Sequence, residues 1–165
     1  TKKIILPHIN LKNGVKMLDT FHKDLKIGKI TENSVLSIIK NKYPKSYIID
    51  GYFKDYDIYV PEKNIGIEVK RDEKSKYTGN LVVEIEFDGK PSALSTTKAD
   101  YWVFYDGECY IWITTSKLNY VVSNFGTIRK FIGKGDTKYK KAYLMKKDII
   151  KSYADKITKP LESSG

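Results

Sequence analysis

Apolar residues recur along the chain with two different periods, and the change between them organises it. Ile30, Val35, Leu36, Ile38 and Ile39 suit helical spacing and predict a helix from about Glu32 to Lys42. Thr31 stands where an N-cap would, and Pro44 follows the expected end. From Ser46 the pattern becomes that of strands. "SYIIDGYF", "YDIYV", "IGIEVK", "LVVEIEF", "YWVFYD" and "CYIWITT" are rich in Tyr, Ile, Val and Trp. The turn signals "PEKN", "DGKP" and "DGE" separate them. Helical spacing returns in "SKLNYVVSNF" and "KKDIIKSYADKI". Residues 1–20 show no clear period. With no repeat and no linker, the expectation is one mixed α/β domain over residues 1–160, and the closing "LESSG" reads as an appended tail.

Two carboxylates sit inside this apolar pattern. If "YDIYV" and "IGIEVK" pair antiparallel around a tight turn centred on Glu62 and Lys63, paired residue numbers sum to 125. Asp57 then opposes Glu68, with Cβ atoms about 5 Å apart. A longer turn would slip this register by a residue. Strand alternation puts Ile58, Val60, Ile65, Ile67 and Val69 on one face and Asp57, Tyr59, Gly66, Glu68 and Lys70 on the other. Opposed carboxylates repel, and a raised pKa, the Lys70 ammonium or a bound cation would relieve them. A hard divalent cation such as Mg²⁺ takes one or two carboxylates and fills its shell with water and phosphate oxygens. Lys70 would then stand beside a metal-bound water. That arrangement suits phosphodiester hydrolysis. The plainer reading is a solvated hairpin face with a Lys–Glu pair.

Charge adds a partner. Thirty Lys and Arg face twenty Asp and Glu, a net charge of +10, which favours a polyanion and first of all nucleic acid. Between residues 126 and 159, eleven basic residues stand against three aspartates. No apolar run approaches the roughly 18 residues that span a membrane, and "TKKIILPHIN" lacks the long apolar stretch of a secretion signal. The single cysteine, Cys109, suits an intracellular setting, and His8 and His22 are the only histidines, so no zinc spacing exists. His22 is a general-base candidate with no partner motif.

The residues "YDIYV…IEVK" resemble the PD-(D/E)XK nuclease superfamily, the restriction-endonuclease-like fold that includes archaeal-type Holliday junction resolvases. Asp57 matches the first acid, Glu68 the second and Lys70 the lysine; Tyr56 replaces the usual proline. The segment "DLKIGKITENSVLSIIKNKYP" resembles the first helix of such nucleases, in which a glutamate near the helix start completes the metal site; Glu32 occupies that position. The resemblance covers about residues 20–115. It implies a mixed β-sheet flanked by helices. It further implies Mg²⁺-dependent DNA cleavage, with Mn²⁺ as a substitute, leaving 5′-phosphate and 3′-hydroxyl ends. Branched DNA is one candidate substrate. A homodimer is implied by analogy, since cutting two strands needs two sites. A DNA-binding module without catalysis and an RNA nuclease are the rival readings.

Further positions carry DNA-binding expectations. Ser75, Lys76, Tyr77, Thr78 and Asn80 form a polar, basic stretch after Lys70, with Gly79 allowing close backbone approach. Glu84 and Glu86 share one face of the next strand, from which Glu84 would border the site; a solvent-facing strand residue is the plainer alternative. Thr96, Thr97 and Lys98 form a polar turn, and Asp100 reads as a local cap. Tyr101, Trp102, Phe104, Tyr105, Tyr110 and Trp112 read as sheet packing rather than base-stacking surfaces. Arg129, Lys130, Lys134, Lys138, Lys140 and Lys141 are spread through a glycine-containing loop that would follow a phosphate backbone; a solvated charge run is the plainer alternative.

Overall fold

The computed structural model describes residues 11–133 and 135–161, with side chains from residue 22 onward. A long helix, α1 (Leu11–Lys40), precedes β1 (Tyr47–Ile48), β2 (Ile58–Val60) and β3 (Ile65–Arg71). One helical turn, α2 (Ser75–Thr78), leads to β4 (Asn80–Phe87) and β5 (Lys90–Pro91). Then come β6 (Tyr101–Tyr105), β7 (Tyr110–Thr114), α3 (Thr115–Phe125), β8 (Thr127–Ile132), β9 (Tyr139–Lys146), α4 (Lys147–Tyr153) and β10 (Lys156–Thr158). The architecture is mixed α/β. A six-stranded mixed sheet runs β1-β2-β3-β6-β7-β10, with β3 and β6 parallel and every other pair antiparallel. A second, antiparallel sheet runs β5-β4-β9-β8.

Strand alternation splits the core into two layers. On one face of the six-stranded sheet, Ile58, Val60, Ile67, Val103, Tyr110 and Trp112 pack on Val35 and Ile39 of α1. On the other face, Trp102, Phe104, Ile111 and Ile113 meet Leu81, Val83 and Met145 of the second sheet and Leu118 and Val122 of α3. The aromatic residues of β6 and β7 are therefore mainly packing residues. Among the described residues no helix is long and apolar enough to cross a membrane.

Several expectations need correction. Thr31 is not an N-cap: it lies inside α1, buried, and its hydroxyl donates to Ile27 O and accepts from Arg71. Its bonds are satisfied within the helix and across to β3, so the capping signal had no end to mark. "SYIIDGYF" contributes only two strand residues; the rest is loop around Gly51, whose φ of 115° breaks a strand. The basic residues expected in a glycine-containing loop lie partly on strands: Arg129 and Lys130 are on β8 and Lys140 and Lys141 on β9, while Lys138 lies in the connection between them. The last helix stops at Tyr153, and β10 then adds to the sheet edge beside β7.

Candidate active site

The β2–β3 hairpin has the register read from the sequence: Ile58 pairs with Ile67, Tyr59 with Gly66 and Val60 with Ile65. Asp57 stands at the mouth of this ladder. Its N–H donates to Ile67 O, one residue short of regular pairing with Glu68, and its Oδ2 accepts from Val69 N–H at 2.8 Å. The carboxylate is thus locked onto β3 and only 6% exposed. Tyr56 fixes the approach. Its ring lies over Gly66, where an added Cβ would come within 2.2 Å of Cδ1, and stacks on Tyr59 at 6.1 Å. Asp100 is not a cap of its own strand; its Oδ2 accepts from Gly66 N–H and its N–H donates to Gly66 O, tying β3 to the start of β6.

The Asp57 charge is felt by two other carboxylates here, Glu32 and Glu68. Burial, then the Asp57 charge, pushes the Glu32 carboxyl above its ordinary value, while Lys54 and Lys29 act against the shift. Burial also raises Glu68, with Lys70 opposing and Asp57 adding to it. Lys70 Nζ lies 3.1 Å from Glu68 Oε1 and 5.5 Å from the Trp102 ring centroid. Burial works to lower its pKa, but Glu68, Asp57 and Glu84 together outweigh burial and keep the ammonium more basic than usual. Glu84 contributes to the same field, and its own carboxylate accepts from Ser92 and pairs with Lys140 at 3.6 Å.

Lys54 is the site residue that the sequence reading missed. Its Nζ sits 3.0 Å from Asp57 Oδ1, 3.6 Å from Glu32 Oε1 and 3.3 Å from Ile49 O. It lies in the β1–β2 loop, where no period marks it. The i,i+3 spacing to Asp57 is the only trace it leaves in the sequence.

The donor set suits a hard cation chemically. All the candidate donors are carboxylate oxygens, and Glu32 Oε2 is buried without a hydrogen-bond partner, with Lys29 Nζ 3.7 Å away. Yet among the described residues no three His, Cys, Asp or Glu side chains are grouped closely enough to hold a metal ion. Lys54 accounts for part of this, because its ammonium stands between Glu32 and Asp57.

The other expected residues scatter. A cleft beside Glu68 is lined by Phe53, Thr96, Thr97, Lys98 and Trp102, so the polar turn and Lys98 do join the site. Thr97 also accepts from Trp102 Nε1, which fixes the turn on the sheet. The Ser75–Asn80 stretch joins a different part. Ser75 is fully buried and donates to Asp106 O, so it is withdrawn as a DNA contact. Lys147 N–H donates to Gly79 O and Lys76 pairs with Glu108, which anchors α2 to the β6–β7 turn and α4. Tyr77 is exposed, the Thr78 hydroxyl accepts from Asn80 N–H, and Asn80 pairs with Lys146 at the start of β4.

The basic cluster lies on the second sheet. Lys138 pairs with Asp88, Lys140 with Glu84 and Asp136, and Lys141 with Glu86. Arg129 and Lys130 are exposed on β8, and Lys130 lies 5.1 Å from the Tyr139 ring centroid. Lys134 lies outside the described residues. His22 is exposed ten residues before Glu32, about 15 Å along the helix, and so stands away from the acids. The chain matches no family model, no curated protein and no solved structure with which it was compared.

Proposed function

We propose that the protein is a Mg²⁺-dependent DNA endonuclease of restriction-endonuclease-like fold, with Mn²⁺ able to substitute. One observation carries the reading: Asp57, Glu68 and Glu32 interact electrostatically at a partly dry hairpin mouth, with the Lys70 ammonium 3.1 Å from Glu68. The chain order supports it. A helix, an antiparallel hairpin bearing the acids, and a crossover to a parallel neighbour strand follow one another here.

In this reading Asp57 and Glu68 hold the cation and Glu32 assists, directly or through water. Bound there, a divalent cation would supply Lewis-acid chemistry, polarisation of a phosphate and activation of a water. Asp57 is held rigid by the Val69 N–H, so it presents Oδ1 in a fixed position once Lys54 withdraws. Lys70, kept protonated by the surrounding carboxylates, would donate to the attacking water or to a phosphate oxygen as charge develops. Lys98, Thr96 and Thr97 receive the DNA backbone along the cleft. The setting is intracellular, wherever DNA is found, and the working assembly is a homodimer.

The test is a panel of branched, duplex and single-stranded DNA incubated with Mg²⁺, with matched RNA in parallel. Asp57→Asn and Glu68→Gln should abolish cleavage with folding intact. Lys70→Ala should lose at least about 10²-fold in rate while DNA affinity changes far less. Full activity in both acid variants overturns the assignment. Because no three acids are closely grouped among the described residues, a DNA-binding module without catalysis is the rival. It requires salt-sensitive binding and no cleavage at any Mg²⁺ or Mn²⁺ concentration. Cleavage of RNA alone would make the enzyme a ribonuclease.

A further inference from the structure

The loop between β1 and β2 is tied at its base and bare at its tip. Ile49 N–H donates to Asp57 O at 2.9 Å, and Lys54 Nζ reaches Ile49 O and Asp57 Oδ1. Gly51, at φ 115°, supplies a turn that an L side chain would strain. At the tip, Tyr52 is 95% exposed and Phe53 90% exposed, the two highest values among the large apolar side chains described. Two adjacent rings left in water forgo the burial that aromatic residues normally gain. Phe53 lines the cleft that contains Glu68 and Lys98, and Tyr52 precedes it at the loop tip. Trp102, the other ring of that cleft, is buried and has no free face to offer.

We propose that Tyr52 and Phe53 form a stacking platform for an unpaired base next to the phosphate held at the acidic site. The substrate class is then nucleic acid with unpaired nucleotides, such as a branch, bulge, flap or single strand, rather than continuous duplex. Bases inside a duplex already stack on both faces and show an aromatic side chain only their edges. A nucleotide outside the stack has a free π-face, and a ring beside a basic groove binds it whatever its sequence. Lys98 in the same cleft supplies the charge for the flanking phosphate. The placement next to the cut phosphate rests on the nuclease reading, but the stacking does not, and the test separates them.

Binding is measured in EDTA to two labelled DNAs, a fully paired duplex and the same duplex with one unpaired 2-aminopurine. Wild type should prefer the unpaired form by about 10-fold or more, with a change in 2-aminopurine fluorescence on binding. The Tyr52→Ala, Phe53→Ala double variant should lose that preference and the fluorescence change, while affinity for the paired duplex stays within about 2-fold. Both rings are solvent-exposed, so the melting temperature should not move. Tyr52→Phe with Phe53→Tyr should keep the preference. No preference in wild type, no binding to either DNA, or an equal loss on both DNAs in the Ala variant overturns the proposal. Loss of binding to anionic phosphatidylserine vesicles in the Ala variant, with DNA preference intact, would assign the rings to a lipid surface instead. An intact preference with no cleavage of any DNA in Mg²⁺ sinks the nuclease reading and leaves the stacking platform standing. Cleavage without the preference does the reverse.

Discussion

Lys54 decides how the acids behave without a metal. Its stem is largely covered, and its charge meets Asp57 at 3.0 Å and Glu32 at 3.6 Å. Burial tends to discharge it, but the two carboxylates outweigh burial and hold it protonated. A divalent cation shared by Asp57 and Glu32 would compete with that ammonium directly. Lys54→Met keeps most of the stem and removes the charge. Without cation, the variant should lose about 1–3 kcal/mol, because two partly buried carboxylates lose a charged partner. For a chain of this size that is a fall of several degrees in Tm. Mg²⁺ should then raise the Tm of the variant more than that of wild type, since binding no longer displaces a lysine. A smaller Mg²⁺ shift in the variant would mean that Lys54 works beside the cation rather than in its place. The register of Ile58, Tyr59 and Val60 was legible because strand periodicity and one turn length fix it; the expected opposition of Asp57 to Glu68 was not met, because Asp57 lies just outside the strand and its N–H slips to Ile67 O. Lys54 was not legible, because a loop residue is placed by tertiary contacts that no local period reports.

At the scale of elements, the β2–β3 hairpin was read in the right register and with the right buried face. Its glycine was not understood as a structural requirement. Gly66 is buried, exchanges hydrogen bonds with Asp100, and leaves room for the Tyr56 ring immediately before Asp57. In Gly66→Ala the new Cβ would meet that ring at 2.2–2.4 Å, so the ring must leave. Overpacking of this kind costs about 1–3 kcal/mol, visible as a lower urea midpoint with an unchanged slope. Because Tyr56 adjoins Asp57, cleavage should fall further than stability predicts. Tyr56→Ala in the Gly66→Ala background should restore part of the urea midpoint. If the double variant is no more stable than Gly66→Ala, the ring is not the obstacle. The misread elements share one cause. The β8–β9 hairpin has mostly exposed side chains on β8, and its partner β4 lies about 60 residues earlier. Its strands therefore carry little alternation, and its lysines and glycine read as loop. Likewise β10 exists only because β7 offers an open edge.

Across the whole molecule, the charge of +10 does not act as a single patch. Lys138, Lys140 and Lys141 looked like a free basic track in the sequence because the partners Asp88, Glu84 and Glu86 are remote in the chain; Asp136, which Lys140 also meets at 3.1 Å, is the local exception. Pairing between β4 and β9 brings Glu84 and Glu86 alongside, and Asp88 follows at the strand end. Surface ion pairs of this kind contribute little to stability, about 0–1 kcal/mol each, yet they reduce the charge that a phosphate meets. Arg129 and Lys130 on β8 have no acidic partner within ion-pair distance among the described residues. Counterion release counts the phosphates a protein neutralises, so the slope of log affinity against log salt separates free cations from paired ones. Arg129→Gln with Lys130→Gln should lower that slope by about two, with binding weakened alike on every DNA sequence. Neutralising Lys138, Lys140 and Lys141 together should lower it by clearly less than three, because their four acidic partners, Asp88, Glu84, Asp136 and Glu86, are released at the same time. In both variants cleavage at low salt and saturating DNA should survive, since Asp57, Glu68 and Lys70 are untouched. A salt titration of binding, run with single-turnover cleavage, reads both quantities. A full drop of three in the triple variant would show that DNA displaces the carboxylates and that β9 lies in the path of the backbone. An unchanged slope in the Arg129 and Lys130 variant would show that the second sheet faces solvent and that DNA reaches the acids along the Lys98 cleft alone.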